Sequence, residues 1–349
     1  ITPNEAQEKG LALLRSVWHK HKHILVNSPV GSGKTALAAL MFNGFIKRGL
    51  RVMFIAPYTV LIGQTGERFV EYGLDYSEIG YIWADHPNRK PHAKIQVAST
   101  QTIIRREFPL DIDLIIVDEA HINNAALIKT LRNHPAKVVG LSGTPWAMWM
   151  GDFYETMVTP TTMKECIENG ILCEYELYAP TKPNLKNVKI KKENYDKSEI
   201  AEIMSGVDIV GDIVKNWIEN GNNLPTICFA VNVAHANFVV QSFIDVGIAA
   251  EIITAHTDKE EREQIFRRFD KGLTKIIVNV GTLVAGFDRD VRCIIWACPT
   301  KSEIKWVQSI GRGLRTAKGK DKALIFDHAG TVLALGFPEE IYYPELFNS

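Results

Sequence analysis

An apolar run from Ile24 to Asn27 leads into Gly31-Ser32-Gly33-Lys34-Thr35, and a helix-forming stretch from Ala36 to Ile46 follows. This is the order of types a phosphate-binding loop needs. The glycines let the backbone curl until its amides converge on phosphate oxygens. Lys34 adds positive charge, Thr35 offers a hydroxyl to magnesium, and the helix N-terminus faces the anion. Ser28 stands where the full pattern has its first glycine, a departure in spelling that leaves the chemistry intact. A plain glycine turn joining strand to helix would have no need of lysine and threonine there. A second apolar run, Leu114 to Val117, delivers Asp118-Glu119-Ala120-His121. Asp118 at the end of a strand buried on both faces could hold magnesium, and Glu119 could polarise an attacking water. An acidic helix N-cap is the competing reading of that pair taken alone. Together the two segments read as a site for Mg-ATP hydrolysis.

The elements that must hold these residues repeat in kind. Strand-like runs at Ile24 to Asn27, Val52 to Ala56, Ile95 to Ala98, Leu114 to Val117 and Val138 to Ser142 alternate with helical stretches. That alternation argues for an α/β fold with a parallel sheet. The series stops near Tyr154 and resumes with runs at Thr226 to Ala230, Ala250 to Ile253, Lys275 to Val280, Cys293 to Ala297 and Ala323 to Asp327. The expected division is therefore a first domain over 1–158, a connecting segment over 159–200 and a second domain over 201–349. A short helix, Met163 to Asn169, ends at Gly170. The connecting segment also holds Lys182, Lys186, Lys189, Lys191, Lys192 and Lys197, which read either as a solvated linker or as a phosphate-contacting surface.

A chain of 349 residues with no net formal charge has room for two cores and no global basic field to advertise nucleic acid. It has no apolar run of membrane-spanning length and no opening signal segment, so an intracellular, cytoplasmic protein away from membranes is expected. Cys166, Cys173, Cys228, Cys293 and Cys298 lack paired metal spacing and read as reduced core thiols.

The second half has no phosphate loop of its own. It carries Val280-Gly281-Thr282-Leu283-Val284-Ala285-Gly286-Phe287-Asp288 after a buried strand, and later Gln308-Ser309-Ile310-Gly311-Arg312-Gly313-Leu314-Arg315. Arg312 and Arg315 are three apart, and on a helix they would share one face and reach the same oxygen cluster, as arginine fingers do.

Taken in order, these segments make the chain resemble a superfamily 2 helicase or translocase core. Ser28 to Thr35 is similar to motif I, Ala56-Pro57-Tyr58 to motif Ia, and Asp118 to His121 to the DEAH form of motif II. Ser142-Gly143-Thr144-Pro145 is similar to motif III, Cys228-Phe229-Ala230 falls at motif IV, Thr282 to Asp288 resembles motif V, and Gln308 to Arg315 motif VI. The resemblance implies two tandem RecA-like domains, each a mainly parallel sheet flanked by helices, with ATP and Mg²⁺ in the cleft between them. Gln7, Gly31, Ser32, Gly33, Lys34, Thr35, Gly286 and Asp288 would then bind the nucleotide, with Gln7 as the adenine reader or simply a helix-opening glutamine. Thr35 and Asp118 would hold the metal, and Lys34, Asp118, Glu119, Arg312 and Arg315 would carry catalysis. The resemblance further implies nucleic-acid contacts at Thr100, Thr102 and Thr282, and coupling through His121, Ser142, Thr144 and Gln308.

The spelling Gly311-Arg312-Gly313-Leu314-Arg315 resembles the DNA-directed branch that includes restriction-enzyme motor subunits, RadD-like proteins and the phage recombination helicase UvsW, so DNA is favoured over RNA. Little room for a strand-splitting hairpin lies between Asp288 and Gln308. Trp146 and Trp149 could stack on bases, although core packing is the commoner use of such residues. A near-minimal motor core able to work as a monomer is expected, of bacterial or phage type by analogy. A nucleotide-gated binding module without translocation and an RNA helicase are the competing functions.

Overall fold

The computed structural model describes residues 2–58, 60–83, 88–281 and 289–348, with the side chains of residues 60 and 61 excepted. Thr282, Gly286 and Asp288 therefore lie outside the described residues. The chain divides into two compact units, residues 1–165 with 342–349, and residues 166–341.

Unit 1 begins with α1 (Glu5–Val17), capped by Asn4, whose side chain accepts from the Gln7 amide while the Gln7 side chain accepts from the Asn4 amide. Then come β1 (His23–Asn27), α2 (Lys34–Ile46), β2 (Val52–Ala56), α3 (Val60–Glu71), β3 (Ile79–Ile82), β4 (Ile95–Ser99) and α4 (Thr100–Ile103). β5 (Leu114–Val117), α5 (Ala125–Asn133), β6 (Lys137–Ser142) and β7 (Thr156–Val158) follow, and α6 (Met163–Glu168) runs across the division at residue 165. The strands form one sheet in the order β3-β4-β2-β5-β6-β1-β7. Every pairing in it is parallel.

Alternation along these strands explains the sheet's two buried faces. Ile24 and Val26 of β1, Val52 and Phe54 of β2, and Leu114 and Ile116 of β5 enter one core with Leu14, Leu37, Phe42 and Phe69 of the helices. Their neighbours Leu25, Met53, Ile55, Ile115 and Val117 enter the other, with Leu127 and Leu131 of α5. Side chains alternate across a strand, so an unbroken apolar run feeds both faces at once. Burying each such side chain contributes roughly 1.5–3 kcal/mol.

Unit 2 contains β8 (Glu174–Tyr178), the hairpin β9 (Ile190–Lys191) and β10 (Asn194–Tyr195), α7 (Lys197–Met204), α8 (Val207–Asn220), β11 (Thr226–Phe229) and α9 (Val233–Asp245). After these come β12 (Ala250–Ile253), α10 (Lys259–Asp270), β13 (Ile276–Asn279), β14 (Cys293–Trp296), α11 (Glu303–Gly313), β15 (Lys322–Asp327) and α12 (Thr331–Leu335). Its six-stranded sheet runs β12-β13-β11-β14-β15-β8, again parallel throughout.

Among the described residues, five strands were not anticipated: β3, β7, β8 and the hairpin pair β9 and β10. β7 carries the first sheet beyond Tyr154, and β8 makes part of the expected connecting segment a member of the second sheet. The last residues also differ from the expected division, because 342–349 cluster with unit 1. There Gly151 donates to the Phe347 carbonyl (2.7 Å), and the Trp146 ring meets Tyr343 edge-on at 5.5 Å. Trp149 lies beside Tyr154 in the same unit, so each of the two half-buried tryptophans has an aromatic packing partner. All five cysteines are free and buried, and burial raises the Cys293 thiol to about 12.

His235 and His328 are fully buried in unit 2, and burial lowers each to a pKa of about 4. His235 accepts the Val231 amide at Nδ1 (3.2 Å), which keeps it neutral. A histidine whose folded pKa is depressed contributes stability that is complete above its unfolded value near 6.5. That contribution is lost as pH falls toward 4, up to about 3 kcal/mol each. The melting temperature of unit 2, followed by tryptophan fluorescence, is expected to fall across that window, with a shallower pH slope in His235→Gln. An unchanged slope in that variant would count against this origin of acid sensitivity.

Candidate active site

The loop after β1 is shaped by two glycines in the left-handed region, Gly31 (φ 89°) and Gly33 (φ 91°). Gly33 precedes α2 without a side-chain cap, so the first amides of that helix are left to an anion. Ser28, the residue in place of the first glycine, has a structural part. Its hydroxyl lies 2.7 Å from that of Ser32, which in turn donates to the Pro29 carbonyl at 2.6 Å. The two buried serines thus latch the curl. Lys34 Nζ sits inside it, donating to the carbonyls of Ser28 (3.2 Å) and Pro29 (3.3 Å). Thr35 follows in the first turn of α2.

Gln7 reaches this loop from α1. It is buried, and its Nε2 lies 3.5 Å from the Gly33 carbonyl. A Cβ on Gly33 would come 2.5 Å from that nitrogen, which the flexible Gln7 side chain could yield, whereas the φ of 91° is what calls for glycine. Gln7 thus closes the capping box of α1 and also touches the loop after β1.

Asp118 and Glu119 leave the carboxyl end of β5, where parallel sheets present ligands. Asp118 is fixed through its amide on the Ile55 carbonyl (2.9 Å). Glu119 has φ 46°, a left-handed conformation that costs a non-glycine residue about 1–3 kcal/mol. The Ala120 amide holds the turn by donating to Leu141 O (2.9 Å). From Glu119 a path of contacts runs inward. Glu119 Oε2 lies 3.6 Å from His121 Nδ1, and that nitrogen is 3.0 Å from the Ser142 hydroxyl. The same hydroxyl accepts the Thr144 amide (3.1 Å), while the Ser142 carbonyl accepts the Ser28 amide (2.8 Å). Burial holds the His121 pKa below the ordinary histidine value, with nearby Lys34 lowering it further and Glu119 opposing. Burial thus favours the neutral imidazole of His121, which hydrogen-bonds Ser142.

Magnesium fits this donor set. Among the described residues no cluster of three or more His, Cys, Asp or Glu could hold a metal alone. A hard cation held by Thr35, Asp118 and the phosphates themselves suits one carboxylate beside a phosphate loop.

Thr100 and Thr102 follow β4. The Thr100 hydroxyl donates to Ala56 O (3.3 Å), and Ser99 caps α4 by accepting the Thr102 amide (3.1 Å) and donating to the Thr102 hydroxyl (2.8 Å). Their side-chain oxygens thus shape a helix start.

In unit 2, α11 begins at its Ser302 cap and buries Gln308, Ser309 and Arg312. The shared helical face expected for the two arginines is not formed. The helix ends at Gly313 with Leu314 as its C-cap, and Arg315 pairs as an isolated antiparallel bridge with Leu172. Gly313 permits the close approach of α11 to β14, since a Cβ there would fall 2.4 Å from Ile294 Cδ1. What holds the segment is Lys320, a residue the sequence did not single out. Its buried ammonium donates to the carbonyls of Gly313 (2.5 Å), Arg315 (2.7 Å) and Val291 (2.7 Å), and burial lowers its pKa. A cation on the last carbonyls of a helix complements their negative end.

Two parallel-sheet units of this form, the first with a phosphate loop and a strand-end acidic pair, define a tandem RecA-like ATPase fold. Residues 1–147 match the family described as "Type III restriction enzyme, res subunit", and residues 207–317 match "Helicase conserved C-terminal domain". The chain thus carries both domains found in helicases, consistent with a superfamily 2 helicase core, and its matches to named ATP-dependent helicases support ATP hydrolase activity. It is 27% identical over 321 residues to a 51.5 kDa protein of Lactococcus phage (isolate 7-9), covering 90% of this chain and 67% of that one. It is 30% identical over 255 residues to IRC3 of Saccharomyces cerevisiae, named as an ATP-dependent helicase. That match covers 67% of this chain but only 37% of the yeast protein. Among solved structures, a fragment assigned as the HsdR subunit of a type I restriction enzyme from Vibrio vulnificus YJ016 has the same fold. It has a TM-score of 0.76 at 19% identity over 97% of this chain and 66% of that one. Dbp5 of Saccharomyces cerevisiae bound to RNA and ADP BeF3 has a TM-score of 0.66 at 18% identity, over 96% of this chain and 86% of its own.

Gly143 lies against the phosphate loop, where a Cβ would meet Val30 N at 3.1 Å and Ser28 O at 3.2 Å. Gly143→Ala is expected to displace the loop and weaken binding of a fluorescent ATP analogue about tenfold or more, with little change in melting temperature. Wild-type affinity in that variant would show that the loop does not lean on this segment.

Proposed function

We propose that the chain is the motor of a DNA helicase or translocase, coupling Mg-ATP hydrolysis to movement on or remodelling of DNA in replication, recombination or repair. The observation that carries this reading is the contact path from Glu119 through His121 and Ser142 to Thr144 and the Ser28 amide. A carboxylate suited to activating water is thereby tied to the loop suited to holding phosphates and to the segment that follows β6. A binding module gated by nucleotide alone would have no need of Glu119 in this place.

In this proposal Lys34 and the amides of residues 31–35 hold the phosphates, Thr35 and Asp118 hold Mg²⁺, and Glu119 orients the attacking water. The metal would neutralise charge developing on the phosphates. Gln7, already against Gly33, would contact the base. Arg312 and Arg315 would stabilise the transferred phosphoryl group, with Lys320 fixing the carbonyls on either side of Arg312's helix end. Thr100, Thr102 and Thr282 would serve the track, with Gly286 and Asp288 at the nucleotide. His121, Ser142, Thr144 and Gln308 would pass the state of the phosphates onward. Two features support DNA as the track. One is the spelling Gly311-Arg312-Gly313-Leu314-Arg315, and the other is the match of residues 1–147 to a family named for restriction enzymes.

The test is ATPase turnover with single-stranded DNA, duplex DNA, forked DNA and RNA. Stimulation by DNA above RNA is expected, and stimulation by RNA alone would overturn the choice of track. Lys34→Ala and Glu119→Gln are each expected to lower stimulated turnover by about 10²-fold or more. Full activity in either would remove the assigned site.

A further inference from the structure

Between β8 and α7 the chain leaves the sheet of unit 2 for the small hairpin β9–β10. A hairpin with two residues to a strand does not stand by itself. Asp196 holds this one, capping α7 through the Ser198 (2.9 Å) and Glu199 (3.2 Å) amides and also pairing with Lys191. Glu199 accepts the Lys189 amide (2.8 Å) and pairs with its ammonium at 3.3 Å. The turn takes two consecutive non-glycine residues, Lys192 (φ 49°) and Glu193 (φ 64°), into the left-handed region. Such turns ordinarily use Asn-Gly, so the strain here is maintained by the surroundings. The residue that leaves this strained turn is Asn194.

Asn194 directs its side chain at the segment joining β14 to α11. Its Nδ2 donates to the Thr300 hydroxyl (3.0 Å), and its Oδ1 accepts the Lys301 amide (3.0 Å). A carboxamide carries donor and acceptor side by side, so one residue makes both contacts. The buried Thr300 oxygen also accepts the Ser302 amide (3.1 Å), and Ser302 caps α11 by accepting the Lys305 amide (3.2 Å). The hairpin thereby reaches the first turn of α11 through two hydroxyls.

The other end of α11 is held by Lys320 on the carbonyls of Gly313 and Arg315. Arg312 therefore lies on a helix fixed at both ends, and the fixing of its start runs through Asn194. From Ser302 to Arg312 the helix rises about 15 Å, and so short a helix is stiff, so a shift of its start is carried to the guanidinium.

We propose that Asn194 is a positioning residue for ATP hydrolysis, setting the start of α11 through Thr300 and Ser302 so that Arg312 is held where phosphoryl charge develops. The inference rests on the motor reading above, in which Arg312 stabilises the transferred phosphoryl group. Such stabilisation depends on donors fixed in place before the reaction, and a misplacement of about 1 Å caused far from the chemistry can lower the rate on the order of 10²-fold. The strained turn then has a use: it presents Asn194 to Thr300.

The experiment is single-turnover hydrolysis of radiolabelled ATP by the full chain in saturating excess, with single-stranded DNA present. The rate constant then reports the chemical step in folded molecules and is independent of how many are folded. Asn194→Ala and Thr300→Val are each expected to lower it about tenfold or more, while Thr300→Ser, which keeps the hydroxyl, stays within about twofold of the wild type. In an Arg312→Ala background, Asn194→Ala is expected to cause no further loss, because the group it positions is gone. Wild-type rate constants in both Asn194→Ala and Thr300→Val, or a loss that multiplies with that of Arg312→Ala, overturn the inference and leave the motor reading standing. A full rate constant in Arg312→Ala alone overturns the part given to that arginine in the motor reading, and the role of Asn194 with it.

Discussion

Ser142 is the point through which unit 1 is tied together. It ends β6 with no exposed surface, gives its carbonyl to the Ser28 amide, and shares its hydroxyl between His121 and the Thr144 amide. A phosphate loop is a strained curl, and a neighbouring strand has to hold its first residue in place. β6 pairs with β1 in parallel register, Asn27 against Ser142, which puts that strand beside the loop. Because the same serine touches the histidine beside Glu119, two hydrogen bonds connect the loop to that histidine. Buried, fully connected polar groups of this kind allow few alternative positions.

The second unit solves a related problem with a cation. α11 has to present Arg312 and then stop, so that Arg315 continues in another direction. Gly313 brings the helix onto β14, and Lys320 ties its last carbonyl to that of Arg315 and to Val291. Three carbonyls satisfy one buried ammonium, and burial explains its lowered pKa. Removing one partner of such a set would leave a charge buried without compensation, which is why the arrangement is rigid.

Both sheets and their order of elements were legible in the sequence, because strands buried on both faces are unbroken apolar runs and need no context to be read. The candidate phosphate loop and Asp118-Glu119 stood out in the sequence for a different reason: few residue types can do that chemistry at that spacing. Of the four edge strands in the two large sheets, β3, β7 and β8 escaped while β12 did not. β7 has only three residues, and β8 alternates Glu174, Glu176 and exposed Tyr178 with partly covered neighbours, so neither gives a long apolar signal. The end of α11 was misjudged because spacing alone cannot show that Leu314 closes the helix. Lys320 could not be read at all, since its partners lie on two separate stretches of chain, Val291 and Gly313–Arg315. The turn at Lys192-Glu193 likewise lacks the glycine or asparagine that marks such hairpins.

A double-mutant cycle on DNA-stimulated ATP turnover, with His121→Ala, Ser142→Ala and the pair together, tests the account most directly. If the two residues form one relay, the double variant loses no more activity than the worse single variant, and the coupling between them nearly equals the smaller single effect. Losses that multiply would mean that His121 and Ser142 act independently and that the contact between them carries nothing from the phosphate loop to Glu119.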